Sequence, residues 1–141
     1  IDILIRSKNR KKILNHPLSK NIELIQLSST SDEILKKLKK IRNKKIMVVL
    51  DSNHAESHVL KELEIYSELI KKGGYIVVLD TAIEFIDNKL NSKSKPFSRG
   101  NNPYTAVKKF LKRTKKFIID REFEEKAIIS NAYSGFLKRI K

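Results

Sequence analysis

Asp51 and Asp80 each close a short apolar run, in the strings Leu50-Asp51 and Leu79-Asp80. If the two runs are neighbouring strands of a parallel sheet, about 4.8 Å apart, both carboxylates reach one edge and a single hard cation can bridge them. Mg²⁺ suits such a place, since it takes one or two protein carboxylates and keeps several waters. Asp51 has an alternative use as the cap of a helix beginning near Ala55, and the residues alone weigh the two evenly. His54 follows three residues after Asp51. Imidazole titrates near neutrality, so His54 is the candidate general base.

Other chemistries are poorly matched. The string HAESH places His54 and His58 at i, i+4, but a zinc-protease helix needs glutamate directly after the first histidine, where this chain has Ala55. His58 is expected to be a packed or surface residue. Ser134-Gly135 lacks the upstream glycine of a nucleophile elbow. Gly73-Gly74 precedes an apolar run, the reverse of a phosphate-cradling turn. The absence of cysteine removes disulfides, thiolate metal sites and cysteine nucleophiles together.

The elements that must position Asp51, His54 and Asp80 are legible as alternating runs. Ile1 to Ile5, Ile22 to Leu27, Ile46 to Leu50 and Tyr75 to Leu79 are apolar without strict alternation, as strands buried on both faces are. Ile34, Leu35, Leu38 and Ile41 have helical spacing, as do Val59, Leu60, Leu63, Tyr66, Leu69 and Ile70. Ser31 or Thr30 is placed to cap the first of these helices, with Asp32 and Glu33 in its opening turn. Lys71, Lys72, Gly73 and Gly74 are placed to end the second. The stretch from Asn88 to Pro103 is predicted to be a long loop of the substrate-contacting kind, carrying Arg99, Asn101 and Asn102, and Pro103 opens a helix over Tyr104 to Lys112. Phe117 to Ile119, Ala127 to Ser130 and Gly135 to Ile140 complete the predicted strands.

The 141 residues suffice for a single domain with a real core. No apolar run approaches the roughly 20 residues needed to cross a bilayer, so a soluble, cytoplasmic protein is expected. The chain opens directly in IDILI without methionine, so the N-terminal part of a longer protein is expected to be absent. The formal net charge of +15 raises the possibility of nucleic-acid binding. The lysines are dispersed over helix faces and connections, which argues for a compositional habit favouring lysine rather than a phosphate-binding face, although a basic surface can still steer an anionic substrate.

The string VVLDSNHAESHVLKELEIYSELIKKGGYIVVLDT resembles the signature of the cephalosporin hydroxylase family, which includes rhamnosyl O-methyltransferase-like proteins. Supporting matches run through the chain in order: IDILIR, His16-Pro17, LIQLSS, GNNP, Ile119-Asp120-Arg121 and Gly135-Phe136-Leu137-Lys138-Arg139. The resemblance implies an α/β, Rossmann-like S-adenosylmethionine methyltransferase fold with a mostly parallel sheet, residues 1–141 forming one partial domain whose first strand is missing. It implies that Asp2, Ser28, Ser29, Asp32 and Asp51 line the cofactor, that Asp51 and Asp80 hold a divalent cation such as Mg²⁺, and that His54 is the base. The function it implies is cation-assisted O-methylation of a small molecule or sugar, by a protein without nucleic-acid or membrane partners and with homo-oligomers open.

Three positions depart from the family pattern. Leu79 stands where an acid usually precedes Asp80, with Glu84 as a candidate substitute ligand; Leu4 replaces a second acid; Leu27 replaces a glycine before the two serines. These departures and the missing first strand support the alternative of a degenerate, non-catalytic relative. A basic nucleic-acid-binding module is the third reading.

Overall fold

The computed structural model describes residues 1–41, 44–86 and 96–141. Its contacts form two units, Ile1–Ile41 and Arg42–Lys141.

In the first unit, helix α1 (Ser7–Leu14) buries no residue, and a 3₁₀ turn (Ser19–Asn21) follows it. Its basic sequence SKNRKKIL has no apolar stripe, so periodicity could not reveal it. Helix α2 (Asp32–Lys39) starts as predicted: Ser31 Oγ accepts the Ile34 N–H at 3.4 Å, and Ile34 and Leu38 are buried one turn apart. The strands predicted over Ile1 to Ile5 and Ile22 to Leu27 do not form as strands. They meet in one parallel bridge, Asp2 with Gln26, with the Asp2 N–H donating to Ile25 O at 3.0 Å. Ile3 and Leu4 stay 74% and 64% exposed, so the apolar run lacks the two-sided cover that a buried strand needs.

The second unit contains β1 (Val48–Leu50), α3 (Glu56–Ser67), β2 (Tyr75–Val78), a 3₁₀ turn (Thr81–Phe85), α4 (Pro103–Arg113), β3 (Phe117–Ile119), α5 (Arg121–Lys126) and β4 (Phe136–Arg139). The strands form one sheet in the order β1-β2-β4-β3. β1 and β2 are parallel, with Val48, Val49 and Leu50 opposite Ile76, Val77 and Val78, and α3 makes their crossover. β4 is antiparallel to both β2 and β3. The expectation of a mostly parallel sheet is therefore corrected: the sheet is mixed.

The reversal has a local cause. Helix α5 is only six residues long and the chain doubles back behind it, so the Asp120 N–H at the end of β3 meets Phe136 O at the start of β4, 2.8 Å away. Ala127 to Ser130, read as a strand, belongs to this return. Ile128 takes a left-handed backbone (φ 56°), and Ile128 and Ile129 are about nine-tenths exposed. Gly135 then lets β4 close against β2: Val78 N–H donates to Gly135 O at 2.9 Å, and a Cβ on Gly135 would stand 2.2 Å from Val78 O.

The core of this unit joins Leu50, Ile76, Val78, Phe117 and Leu137 of the sheet to Val59, Leu63 and Tyr66 of α3 and Ala106, Val107 and Phe110 of α4. Each large apolar side chain so buried contributes about 1.5–3 kcal/mol. Helix α4 begins on a capping box. Asn102 Oδ1 accepts from Tyr104 N and Thr105 N, Thr105 Oγ1 accepts from Asn102 N, and Pro103 occupies the first turn. A cation from a distant strand serves carbonyls at the end of α3 and just beyond it: Arg139 Nη1 donates to Ser67 O at 2.9 Å and to Ile70 O at 2.7 Å. Of the predicted long loop, residues 87–95 lie outside the described residues.

Candidate functional site

Parallel pairing brings the ends of β1 and β2 together, and the Leu79 N–H extends the ladder to Leu50 O at 3.0 Å. Asp51 follows Leu50 directly, and Asp80 takes a left-handed backbone (φ 56°, ψ 22°) that turns the chain into the 3₁₀ turn. Aspartate is among the few side chains that tolerate this region. His54 reaches back over both carboxylates. Its Nε2 lies 3.5 Å from Asp51 Oδ1 and 3.1 Å from Asp80 Oδ2, and one ligand atom from each residue falls within 4.8 Å of the others. These close approaches are not aligned hydrogen bonds, for Nε2 is buried without a hydrogen-bond partner among the described residues.

The turn between β1 and α3 is tied at several points. Asn53 Oδ1 accepts the Ala55 N–H at 2.9 Å, and Ser52 Oγ donates to Glu62 Oε1 at 2.8 Å. Asn101 Oδ1 receives the first helical N–H, that of Glu56, at 3.1 Å. The α3 N-cap is Ala55, with no side-chain bond, so Asp51 does not cap this helix and its carboxylate faces the cluster. Phe97 packs edge-on against the His54 ring, 5.1 Å between centroids. Asn131 Nδ2 donates to Asp80 Oδ1 at 3.1 Å.

The remaining predicted residues fall as follows. Asp2 is exposed and its Oδ1 accepts the Leu4 N–H at 2.9 Å. Ser28 and Ser29 are half-buried in the turn that leads into α2; Ser28 O accepts the Ser31 N–H at 3.1 Å, and Asp32 is exposed in the first turn of that helix. These four lie in the first unit and Asp51 in the second. Glu84 stands outside the cluster, its Oε2 accepting from Gly100 N at 2.8 Å and Asn102 Nδ2 at 2.5 Å. It braces the turn over residues 96–102, which corrects its candidacy as a substitute ligand. Asn101 and Asn102, expected to contact substrate, serve that same turn and the starts of α3 and α4; Arg99 is exposed. His58 points elsewhere than His54, with Nε2 3.4 Å from Glu62 Oε1, so HAESH forms no zinc pair.

Sequence reasoning missed Asn131 and Glu62, and it missed the part that Asn101 plays at the start of α3. Asn131 and Asn101 have no local signal, since their partners are distant in the chain. Glu62 had one: it interrupts the apolar stripe of Val59, Leu63 and Tyr66. Burial, together with the charge of Glu62, pushes the Tyr66 phenol up to about 12. At the mouth of α3, burial alone would raise Glu56. The hydrogen bonds of Lys109 and Thr105 and the charge of Lys109 outweigh it and hold the carboxyl below its ordinary range.

The donor set suits a divalent cation. Carboxylate oxygens match Mg²⁺ or Mn²⁺, imidazole extends the range to softer ions, and the buried Nε2 without a hydrogen bond is an atom that a cation would satisfy. Fold and site together define a mixed α/β protein with a candidate divalent-cation centre at the carboxyl ends of a parallel strand pair. Over residues 1–140 the chain matches the family described as Rhamnosyl O-methyltransferase/CmcI, and it belongs to that family. It is 29% identical over 123 residues to the rhamnosyl O-methyltransferases of Mycobacterium tuberculosis (strain ATCC 25618 / H37Rv) and Mycobacterium bovis (strain BCG / Pasteur 1173P2), covering 84% of this chain and 47% of each relative. The rhamnosyl O-methyltransferase of Mycobacterium leprae (strain TN) is 29% identical over 126 residues, 84% of this chain and 51% of the relative. The chain thus spans about half the length of the curated relatives it matches. No solved structure matches it significantly. Among the described residues, no helix is long and apolar enough to cross a membrane.

Proposed function

We propose that the chain is part of an O-methyltransferase that transfers a methyl group from S-adenosylmethionine to a hydroxyl of a small molecule or sugar, assisted by a divalent cation. The observation that carries this reading is the convergence of Asp51, His54 and Asp80 at adjacent strand ends. Family membership supports the reaction class, and the names of the mycobacterial relatives favour a saccharide acceptor. The fold belonging to this reading is a Rossmann-like α/β domain, whose ligands bind beyond the carboxyl ends of the strands.

Asp51 and Asp80 would hold the cation, which when bound supplies positive charge that acidifies an acceptor hydroxyl. His54 would take the hydroxyl proton on Nε2, a role in which its tethered turn fixes the ring against the acceptor. Asp2, with Ser28, Ser29 and Asp32 nearby in the chain, would bind the hydroxyl and adenosine side of the methyl donor, and Asp51 is likewise proposed as a donor-binding residue. Phe85 and Tyr133 flank a surface hollow of about 280 Å³. Their exposed faces suit the C–H face of a sugar ring.

A second reading of one residue is favoured by the 3.1 Å approach of His54 Nε2 to Asp80 Oδ2: His54 would be a third residue holding the cation. Calorimetric titration of the full protein with S-adenosylmethionine, with and without Mg²⁺, tests the main reading; binding of donor and cation supports it, and binding of neither removes it in favour of a degenerate relative. The same titration of Mn²⁺ into His54→Gln separates base from ligand, since only loss of a ligand weakens the cation.

A further inference from the structure

Glu62 is 2% exposed on the α3 face that packs the core. A carboxylate in that position is destabilising by several kcal/mol unless it is well paired. No lysine or arginine forms an ion pair with it among the described residues. Oε1 accepts from Ser52 Oγ at 2.8 Å and lies 3.4 Å from His58 Nε2, while Oε2 is buried with no hydrogen-bond partner among the described residues. Leucine would satisfy the stripe of Val59, Leu63 and Tyr66 better. A carboxyl group at this position therefore requires a reason other than packing.

Its bond to Ser52 supplies one. Ser52 directly follows Asp51 and stands two residues before His54, so the Ser52–Glu62 bond fastens the turn that displays both groups to the body of α3. The other ties of this turn, Asn53 to Ala55 and Asn101 to Glu56, act on its helix side and leave the Asp51 side to Ser52. We propose that Glu62 is a positioning residue for the Asp51–His54–Asp80 centre, acting through the Ser52 hydroxyl. The inference rests on reading that cluster as a divalent-cation site.

Mn²⁺ titration of the full protein, followed by calorimetry and by the spectrum of free Mn²⁺, tests it on wild type, Glu62→Gln, Glu62→Leu, Ser52→Ala and the Ser52→Ala/Glu62→Leu pair. Outer-shell partners of metal ligands are typically worth about 10–100-fold in affinity. Glu62→Leu and Ser52→Ala should each weaken Mn²⁺ about tenfold, the pair should be no weaker than either alone, and Glu62→Gln, which keeps an acceptor for Ser52, should recover most of the affinity. Thermal unfolding checks the fold; if Glu62→Leu fails to fold, Ser52→Ala and Glu62→Gln decide alone. Wild-type affinity in Ser52→Ala and Glu62→Leu, or effects that multiply in the pair, would overturn the proposal while leaving the cation site standing. A wild type that does not bind Mn²⁺ overturns both.

Discussion

Asn131 donates its side-chain N–H to Oδ1 of Asp80, 51 positions away in the chain, and its carbonyl accepts from Thr81 Oγ1 and Ala82 N. The return segment before β4 therefore clamps the exit of β2 and aims the carboxylate there. Asn131→Ala should lower Mn²⁺ affinity about tenfold with little change in melting temperature, since Asn131 is exposed. Calorimetry at constant pH reads this, and an unchanged affinity would show that Asp80 orients itself.

Asp51→Asn and Asp80→Asn preserve size and remove one charge each. Each should reduce cation binding by 100-fold or more, on the order of 3 kcal/mol, and any cation-dependent methyl transfer with it. The variants should melt within a few degrees of wild type, because both side chains are partly exposed and neither supports the core.

Gly135→Ala would place a methyl carbon 2.2 Å from Val78 O and 2.9 Å from Ala132 O, both backbone atoms that cannot rotate away. Relief requires β4 to withdraw from β2. A loss of about 2–3 kcal/mol is expected, as for other overpacked sites, visible as a lower urea midpoint with an unchanged slope.

Asn102 is fully buried and serves α4, Glu84 and Ser98 O at once. Asn102→Ala removes an N-cap worth about 1 kcal/mol and deprives the half-buried Glu84 of one donor. A total near 2 kcal/mol is expected by chemical denaturation, and Asn102→Asp should recover the cap but repel Glu84.

How far the sequence could be followed depended on the range of the interaction. The βαβ unit from Val48 to Val78 and the starts of α2 and α4 were legible, because apolar spacing, Ser31 and Pro103 act within a turn or two of themselves. Asp51 and Asp80 were legible for the same reason, each directly following a recognisable run, and His54 by its three-residue spacing from Asp51. The direction of β4 was not, since it depends on Gly135 meeting Val78 O, a contact that no periodicity encodes. Ile128 and Ile129 misled in the opposite sense: their side chains favour strands, yet they sit exposed in a return whose path is set by the Asp120–Phe136 pairing. Asn101 and Asn102 looked like ligand contacts because polar loop residues often are, yet folding pairs them with Glu56 and Glu84, which are distant in the chain.

Glu56 and Lys109 tie α3 to α4 across 2.6 Å. The Glu56 carboxyl is held below its ordinary range, so its contribution is fully present above the unfolded glutamate value of about 4.3. It is lost as pH falls through the lower folded value. Wild type should therefore lose stability faster than Glu56→Gln between about pH 4.3 and the acid limit, and the two should run parallel above it. Urea titrations at stepped pH check the sign. The effect should be modest, because Lys109 is half exposed.

The placement of β4 between β2 and β3 has a consequence for the order of assembly. During vectorial synthesis β1, α3 and β2 can pair as soon as they emerge, but among the described residues β3 has no neighbouring strand until residues 136–139 follow. Until then one edge of β2 is an unsatisfied template, open to any passing strand. Closure is a late, non-local event, of the kind that slows folding and lengthens exposure to aggregation.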